Sequence, residues 1–168
     1  MLNELENYLQ RIEDLHKQII DMIDDMPREG LNFFPIILPQ MQVSNSIAIL
    51  AMHAAGAEHF WIGEVIGGLP TTRNRDTEFT VRVRNAAPVI EIMNKAMAET
   101  KTIFATLTEA ELSKSFQVEE KTVQGRWAIL HVIEHTALHL GQMQITYQLW
   151  AKGDSKSSPM WFSRLPPR

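Results

Sequence analysis

The segment WAILHVIEHTALHLGQ, Trp127–Gln142, carries three histidines at intervals of four residues: His131, His135 and His139. Each step of four residues advances about 40° around an α-helix, so the three imidazoles fall within an arc of about 80°. The residues in or beside this arc are mostly apolar: Trp127, Leu138, Gln142, Ile145 and Leu149. The segment therefore predicts a helix that turns a stripe of imidazoles toward the core of the protein.

Two interpretations of this stripe are open. A single buried histidine is most often a core residue that hydrogen bonds satisfy. Three neutral imidazoles in one apolar core would need several buried hydrogen-bond partners. A divalent cation, by contrast, is bound by a cluster of imidazoles. Histidines four residues apart on one helical face are also a frequent ligand geometry. The stripe thus favours a metal site, with satisfied core histidines as the alternative.

The rest of the chain is predicted to be helical almost throughout, because apolar residues recur at intervals of three and four. Four helices are expected, at about residues 5–26, 45–68, 88–107 and 122–153. Pro27 and Gly30 end the first of them, and Ser44 or Asn45 can cap the second. Pro88 suits the first turn of the third helix.

Further signals define the last helix and the tail. Thr108 and Glu111 match a capping box for a short helical turn. Thr122 is expected to cap the last helix, and Gly153 is expected to end it. The tail, residues 154–168, is rich in Ser and Pro, and we expect it to be peripheral.

The predicted architecture is an all-α four-helix bundle, since four long amphipathic helices occur with no convincing alternating strand. The long polar stretch before the third helix predicts at least one crossover connection. The chain has 168 residues, of which 45% are hydrophobic, and this suffices for one well-buried domain over residues 1–168.

Composition excludes several classes of function. The net charge is −4, with dispersed basic residues, so no groove-sized positive surface for nucleic acid is expected. No apolar run approaches the roughly 20 residues that span a bilayer, and the acidic start is unlike a signal peptide, so we expect a cytoplasmic protein without a membrane segment. The chain has no cysteine, so any thiol chemistry must use the thiol of another molecule.

A metal site in a bundle needs ligands from facing helices, and the second helix offers two histidines. Its sequence is SNSIAILAMHAAGAEHFWIGEVIGG. On a helical wheel His53 lies about 50° from the centre of the apolar arc, whereas His59 lies near the opposite side. We therefore expect His53 to face inward and His59 to face outward. Ala54 and Ala57 would leave room beside His53, although they would equally allow close helix packing.

The first helix contains an E-x-x-H pair, Glu13 and His16, of the kind that di-iron bundles use. Such sites need the motif twice, and neither the second nor the fourth helix supplies another copy. We interpret Glu13 as surface charge and His16 as a helix-edge residue that can neighbour the site.

The pattern NSIAILAMHAAGAEHFWIGEVIGG, followed by RDTEF and LHVIEHTALHLGQ, resembles the DinB-like (DinB/YfiT) superfamily of four-helix-bundle metalloproteins over most of the chain. The resemblance implies a divalent metal bound by His53, His135 and His139. It also implies that His131 and Gln142 contact the ligands or line the cavity. The chain departs from the family pattern at Leu138 and Leu140, where a histidine and an arginine are common.

Three neutral imidazoles leave at least one position of the metal open, as in catalytic sites. The resemblance implies transfer of a low-molecular-weight thiol such as bacillithiol, mycothiol or glutathione to an electrophile, and a homodimer. Zn²⁺ is the first expectation, and Ni²⁺, Fe²⁺ or Mn²⁺ would also suit such a site. The alternative is a non-catalytic stress-response bundle in which the ion is structural. No catalytic residue beyond the metal is assigned, and four candidates are interpreted as solvated charges: Glu58, Glu134, Arg82 and Arg84.

Overall fold

The computed structural model describes residues 1–38, 41–42 and 44–152. Seven α-helices lie in this part of the chain: α1 (Asn3–Ile23), α2 (Arg28–Leu31), α3 (Ile47–Glu58), α4 (Arg75–Glu78), α5 (Ala87–Thr106), α6 (Glu109–Ser113) and α7 (Gly125–Trp150). Helix α3 continues directly into a π-helix over His59–Ile66. Two antiparallel hairpins pair β1 (Ile37–Leu38) with β2 (Met41–Gln42), and β3 (Ser115–Val118) with β4 (Lys121–Gln124). None of the described helices combines the length and the apolarity that crossing a membrane requires.

The four long helices form a bundle. Helix α1 packs against α5 and α7, and α3 packs against the same two helices. Helices α1 and α3 therefore occupy opposite corners, as do α5 and α7. The connections from α1 to α3 and from α5 to α7 run between opposite corners, so the bundle has crossover connections, as predicted. The polar stretch before α5, from which a crossover was expected, instead joins the neighbouring helices α3 and α5.

The core consists of two clusters of buried side chains. One includes Ile19, Leu50 and Met93, and the other includes Ile12, Phe104 and Ile129. On α7, Val132 belongs to the second cluster and Leu140 to the first. The residues between them on α7 include the polar side chains His135, Thr136 and His139. The histidine stripe thus lies where the two apolar clusters meet.

The predicted helix boundaries are close to the observed ones at three of the four helices. Helix α1 ends at Ile23, and Pro27 then precedes the short helix α2, which contains Gly30. Helix α5 has a proline in its first turn, as predicted. The capping box of Thr108 and Glu111 is present at the start of α6.

The start of the last helix was predicted wrongly, and so was the absence of strands. Thr122 lies in β4 and caps nothing, because residues 115–124 form a hairpin and α7 begins at Gly125. Half-buried Phe116, Val118 and Val123 alternate with exposed neighbours, which suits a short two-stranded sheet. Gly153 and the tail 154–168 lie outside the described residues.

Candidate metal centre

The structure brings together His53 of α3 with His135 and His139 of α7. One ligand nitrogen from each of the three rings lies within 4.8 Å of the other two. The Nε2 atoms of His135 and His139 are 3.2 Å apart. His53 is buried, with 7% of its surface exposed, as the wheel predicted. These three side chains could hold one metal ion.

The histidine stripe borders the core and does not face its centre, which corrects the predicted orientation of α7. Four apolar residues that were expected to be buried are about half exposed: Trp127, Leu138, Ile145 and Leu149. The buried face instead consists of neighbours such as Ile129, Val132 and Met143. The apolar residues of α7 lie on most sides of the helix, so their periodicity did not indicate which face is buried. At this border His135 and His139 are half-buried.

Two of the three rings are fixed by a hydrogen bond at the nitrogen that points away from the cluster. Nδ1 of His53 donates to the carboxylate of Glu78 at 2.8 Å, and Nδ1 of His139 donates to Oε1 of Gln142 at 2.7 Å. Such bonds set the tautomer and leave Nε2 as the ligand atom. Nδ1 of His135 is buried and has no hydrogen-bond partner in the described part of the chain. This donor set fits a divalent metal.

A buried ion pair supports the imidazole of His53. Arg73 donates two hydrogen bonds to Glu78, from Nε at 2.7 Å and from Nη2 at 3.0 Å. Burial alone would raise the pKa of Glu78, but the hydrogen bonds from His53 and Arg73 outweigh it and hold this pKa below its ordinary value. Glu78 is therefore a carboxylate that accepts from both neighbours. A Cβ on Gly56 would lie 2.9 Å from Cδ of Glu78, so glycine leaves the space that this carboxylate occupies.

Sequence reasoning missed Glu78 and Arg73. Both fall in the polar stretch between the second and third helices, and Glu78 is the glutamate of the RDTEF motif. The motif was the only signal that could have found it, since a carboxylate in a polar stretch is usually solvated. Only the packing of α4 onto α3 shows that Glu78 reaches His53.

The imidazoles of His135 and His139 are held in their neutral form. Burial, and then the nearby His139, His53, His131 and Arg73, lower the pKa of His135 to about 3. Burial also lowers the pKa of His139, although its hydrogen bond with Gln142 acts in the opposite direction. Neutral imidazole is the form that binds metals, so these two ligands need no proton release near pH 7.

These shifts predict that the chelator-treated protein loses stability in mild acid. The unfolded chain protonates His135 near pH 6.5, whereas the folded chain does so only near pH 3, so the unfolded state binds more protons between these values. We expect the free energy of unfolding in urea to fall by about 1 to 2 kcal/mol from pH 7 to pH 5. The same measurement on His135→Gln should show a smaller fall. An equal fall in both proteins would contradict the attribution of this loss of stability to His135.

His131 lies beside the cluster within a group of aromatic rings. Its ring stacks on Trp127, with centroids 4.9 Å apart and planes 4° apart, and meets the edge of Trp61. Its centroid is 5.5 Å from that of His135. Burial lowers the pKa of His131, which keeps this ring neutral as well. Its predicted role as a cavity-lining residue stays a prediction.

His16 and Glu58 differ from their predicted environments. Glu58 was expected to be a solvated charge, yet it is 1% exposed and lies 2.5 Å from Nε2 of His16. His16 is not a helix-edge residue but is itself buried, and Thr100 donates a second hydrogen bond to Glu58 at 2.6 Å. Both residues lie within long apolar stretches, so the sequence did not indicate that they form a buried polar pair. Glu134, Arg82 and Arg84 are exposed, as expected.

His59 was expected to face outward, and this prediction is wrong. Its Nδ1 donates to Glu99 of α5 at 2.6 Å, and its Nε2 lies 3.3 Å from Oε1 of Glu64. The helical wheel failed here because α3 packs against both α5 and α7, so a residue turned away from α7 still meets α5.

Comparison with known proteins relates the chain to one family and to several solved structures. The family model described as mycothiol-S-transferase matches residues 14–150. No curated protein matches the chain. A conserved protein from Enterococcus faecalis superposes with a TM-score of 0.70 at 16% identity, over 90% of this chain and 99% of that one.

Two DinB-like proteins of known structure also superpose on the chain. The one from Bacillus cereus has a TM-score of 0.68 at 18% identity and covers 87% of this chain and 92% of its own. The one from Bacillus subtilis has a TM-score of 0.63 at 16% identity and covers 95% of this chain and 97% of its own. These structures confirm the predicted all-α DinB-like fold.

Proposed function

Since the chain belongs to the family described as mycothiol-S-transferase, within the DinB-like superfamily, we propose that it is a metal-dependent transferase that joins a small thiol to an electrophile. The observation that carries this proposal is the cluster of His53, His135 and His139, whose ligand nitrogens lie within 4.8 Å of one another. A cluster of three histidines is the donor set of catalytic sites that keep a position open for substrate.

The metal is proposed to be Zn²⁺ held by these three imidazoles, with Ni²⁺, Fe²⁺ and Mn²⁺ as alternatives that an all-imidazole site accepts. When bound, such an ion lowers the pKa of a coordinated thiol, so that the nucleophilic thiolate forms near neutral pH. Glu78 and Gln142 hold the rings of His53 and His139 in the tautomer that presents Nε2.

The proposed reaction needs only the two substrates and the site. The thiol sulfur forms a bond to an electrophilic carbon of the second substrate, and the thiol proton is released. The leaving group departs with the electron pair of the bond that breaks. The chain has no cysteine, so no thiol of its own competes for the electrophile or the ion. The rings of Trp61, Trp127 and His131 provide an apolar surface beside the cluster, on which an electrophile can pack.

A thiol-conjugation assay tests this proposal. The Zn²⁺-loaded protein should accelerate the conjugation of mycothiol to a panel of electrophiles, and chelator-treated protein should not. Bacillithiol and glutathione serve as the alternative thiols in parallel reactions. If none of the three thiols gives a metal-dependent rate above background, thiol transfer is excluded.

One observation favours a second candidate function. The ligands come from two helices, so a bound ion would cross-link α3 to α7 and could act as a structural element of a non-catalytic bundle. This candidate predicts stoichiometric metal and a large stability gain without any conjugation activity. The assay with three thiols therefore separates the two candidates.

We further propose that the protein is a homodimer. Among the described residues, five large hydrophobic side chains of α7 are exposed: Trp127, Leu130, Leu138, Ile145 and Leu149. An apolar surface of this kind is typical of a contact between proteins. Two aromatic residues of the tail, Trp161 and Phe162, lie outside the described residues. Light scattering should give twice the mass of one chain, and the mass of a single chain at micromolar concentration would contradict this.

The proposed chemistry also bears on partners and location. The partners are a small-molecule thiol and an electrophile, and nothing in the charge of the chain favours nucleic acid. Small thiols are kept reduced in the cytosol, so the proposal implies that the protein works there.

A further inference from the structure

The π-helix that follows α3 brings Glu64 and His59 onto one side of the helix. In an α-helix, a residue five positions further on lies about 140° around the axis. In a π-helix the hydrogen bonds join residues five apart, so such residues lie one turn apart. His59 and Glu64 have this spacing, and Nε2 of the first lies 3.3 Å from Oε1 of the second.

Glu64 is a buried carboxylate that holds the backbone of the loop between the π-helix and α4, residues 67–74. Its Oε1 atom accepts hydrogen bonds from two consecutive backbone N–H groups, those of Thr72 at 2.8 Å and Arg73 at 3.0 Å. Only 9% of its surface is exposed. Two hydrogen bonds to one buried carboxylate oxygen restrain both peptide groups. The contact therefore fixes the backbone from which the side chain of Arg73 extends.

The same loop is also tied to α5 through His59. Nε2 of His59 lies 3.0 Å from the hydroxyl oxygen of Thr72, and its Nδ1 donates to Glu99 at 2.6 Å. Glu64 and His59 thus hold the loop from the π-helix side, while Glu99 connects the pair to the neighbouring helix of the bundle.

Arg73 links this contact to the metal centre. Its guanidinium donates to both oxygens of Glu78, and Glu78 accepts from Nδ1 of His53. The contacts from Glu64 to Arg73, then to Glu78 and then to His53 form an unbroken series of hydrogen bonds. Each member is buried or half-buried, so water does not readily replace it.

We propose that Glu64 is a positioning residue for the metal centre, which acts by holding Arg73 and, through Arg73 and Glu78, the imidazole of His53. This inference rests on the proposed metal site. It assigns a role to the π-helix, because an α-helix would turn Glu64 away from His59 and from the loop. In the described part of the chain Glu64 contacts Thr72, Arg73 and His59 and makes no hydrogen bond to His53, His135 or His139.

The test is a competition titration with Zn²⁺ and a chromophoric chelator. Replacing a hydrogen-bond partner of a metal ligand typically weakens metal affinity by about 10- to 100-fold, so we expect a weakening of about tenfold for Glu64→Ala. Glu64→Gln keeps an acceptor oxygen and should recover most of the affinity. Glu13→Ala is the matched control, since it removes a surface ion pair with Lys101 far from the loop and should leave the affinity unchanged.

A double-mutant cycle shows whether Glu64 acts through Glu78. If it does, Glu64→Ala should weaken binding no further in a Glu78→Ala background. Hydrogen exchange should also speed up at the amides of Thr72 and Arg73 in Glu64→Ala. Arg73→Lys loses the bidentate contact with Glu78 but keeps the positive charge, and it should weaken Zn²⁺ affinity by a similar factor. This variant replaces Glu64→Ala in the test if Glu64→Ala does not fold.

Three results would overturn the inference. The first is a Zn²⁺ affinity of Glu64→Ala equal to that of the wild-type protein. The second is a double variant whose loss of affinity is the sum of the losses from Glu64→Ala and Glu78→Ala. Wild-type affinity in Arg73→Lys would show that the series of contacts is not used. In each of these cases the wild-type protein still binds Zn²⁺, so the proposed metal site stands. A wild-type protein that binds no metal overturns both proposals.

Discussion

His139→Ala is expected to lose thiol-transfer activity by about a thousandfold. A bound metal contributes several kcal/mol of charge stabilisation to a reaction, and about 4 kcal/mol corresponds to a thousandfold in rate. With alanine at this position only two imidazoles remain, and the ligand nitrogen that lies 3.2 Å from that of His135 is gone. The measurement is kcat/KM for conjugation of the preferred thiol, with saturating Zn²⁺ in the buffer.

His131→Ala is the matched control for this experiment. It removes an imidazole from the same stripe of α7, but one that does not belong to the cluster of three. We expect its kcat to change less than that of His139→Ala. Equal losses of activity in the two variants would mean that His131 contributes as much as His139. The assignment of His53, His135 and His139 as the ligands would then be wrong.

Added Zn²⁺ should raise the melting temperature of the chelator-treated protein by about 10 °C. A ligand that binds only the folded state stabilises it by about 4 kcal/mol at a thousandfold excess over its Kd. For a domain of this size, 1 kcal/mol shifts the melting temperature by about 2–4 °C. Differential scanning calorimetry with and without the ion measures the shift.

His53→Ala tests whether this stabilisation comes from the cluster. The variant removes the ligand of α3 and so prevents an ion from joining α3 to α7. Its melting temperature should hardly respond to Zn²⁺. A shift as large as in the wild-type protein would place the stabilising ion elsewhere in the molecule.

The long helices of the fold were predictable from periodicity, whereas the orientation of the last one was not. In α1 the apolar residues occupy one face, and Ile12, Leu15 and Ile19 on that face are buried. In α7 apolar residues occur on most sides, and the wheel chose a face that leaves Trp127 and Leu138 exposed. Only packing against α1 and α3 decides which of these residues is covered.

The cluster of three histidines was predictable because its residues are of a rare type at a regular spacing. Histidines four apart on α7, and one inward histidine on α3, suffice to suggest the site from sequence. The groups that hold these ligands were not predictable. Glu78 reaches His53 across 25 positions of sequence, and its carboxylate comes from a short helix within a polar stretch.

The π-helix explains a further failure of the sequence reasoning. A wheel drawn at 100° per residue loses its register after His59, within the wider turns of the π-helix. It therefore gave no reason to consider Glu64, although this residue lies within the quoted pattern NSIAILAMHAAGAEHFWIGEVIGG. Contacts between distant segments, such as Glu64 with the backbone of Thr72, are set by tertiary packing and leave no local periodicity.

Elemental analysis of the purified protein after incubation with Zn²⁺ and gel filtration is the most direct test of the central claim, that His53, His135 and His139 form one metal site. We expect one divalent ion per chain in the wild-type protein and in His131→Ala, and no stoichiometric ion in His53→Ala, His135→Ala or His139→Ala. A wild-type protein without stoichiometric Zn²⁺, Ni²⁺, Fe²⁺ or Mn²⁺, or a ligand variant that retains a full equivalent, would contradict the claim.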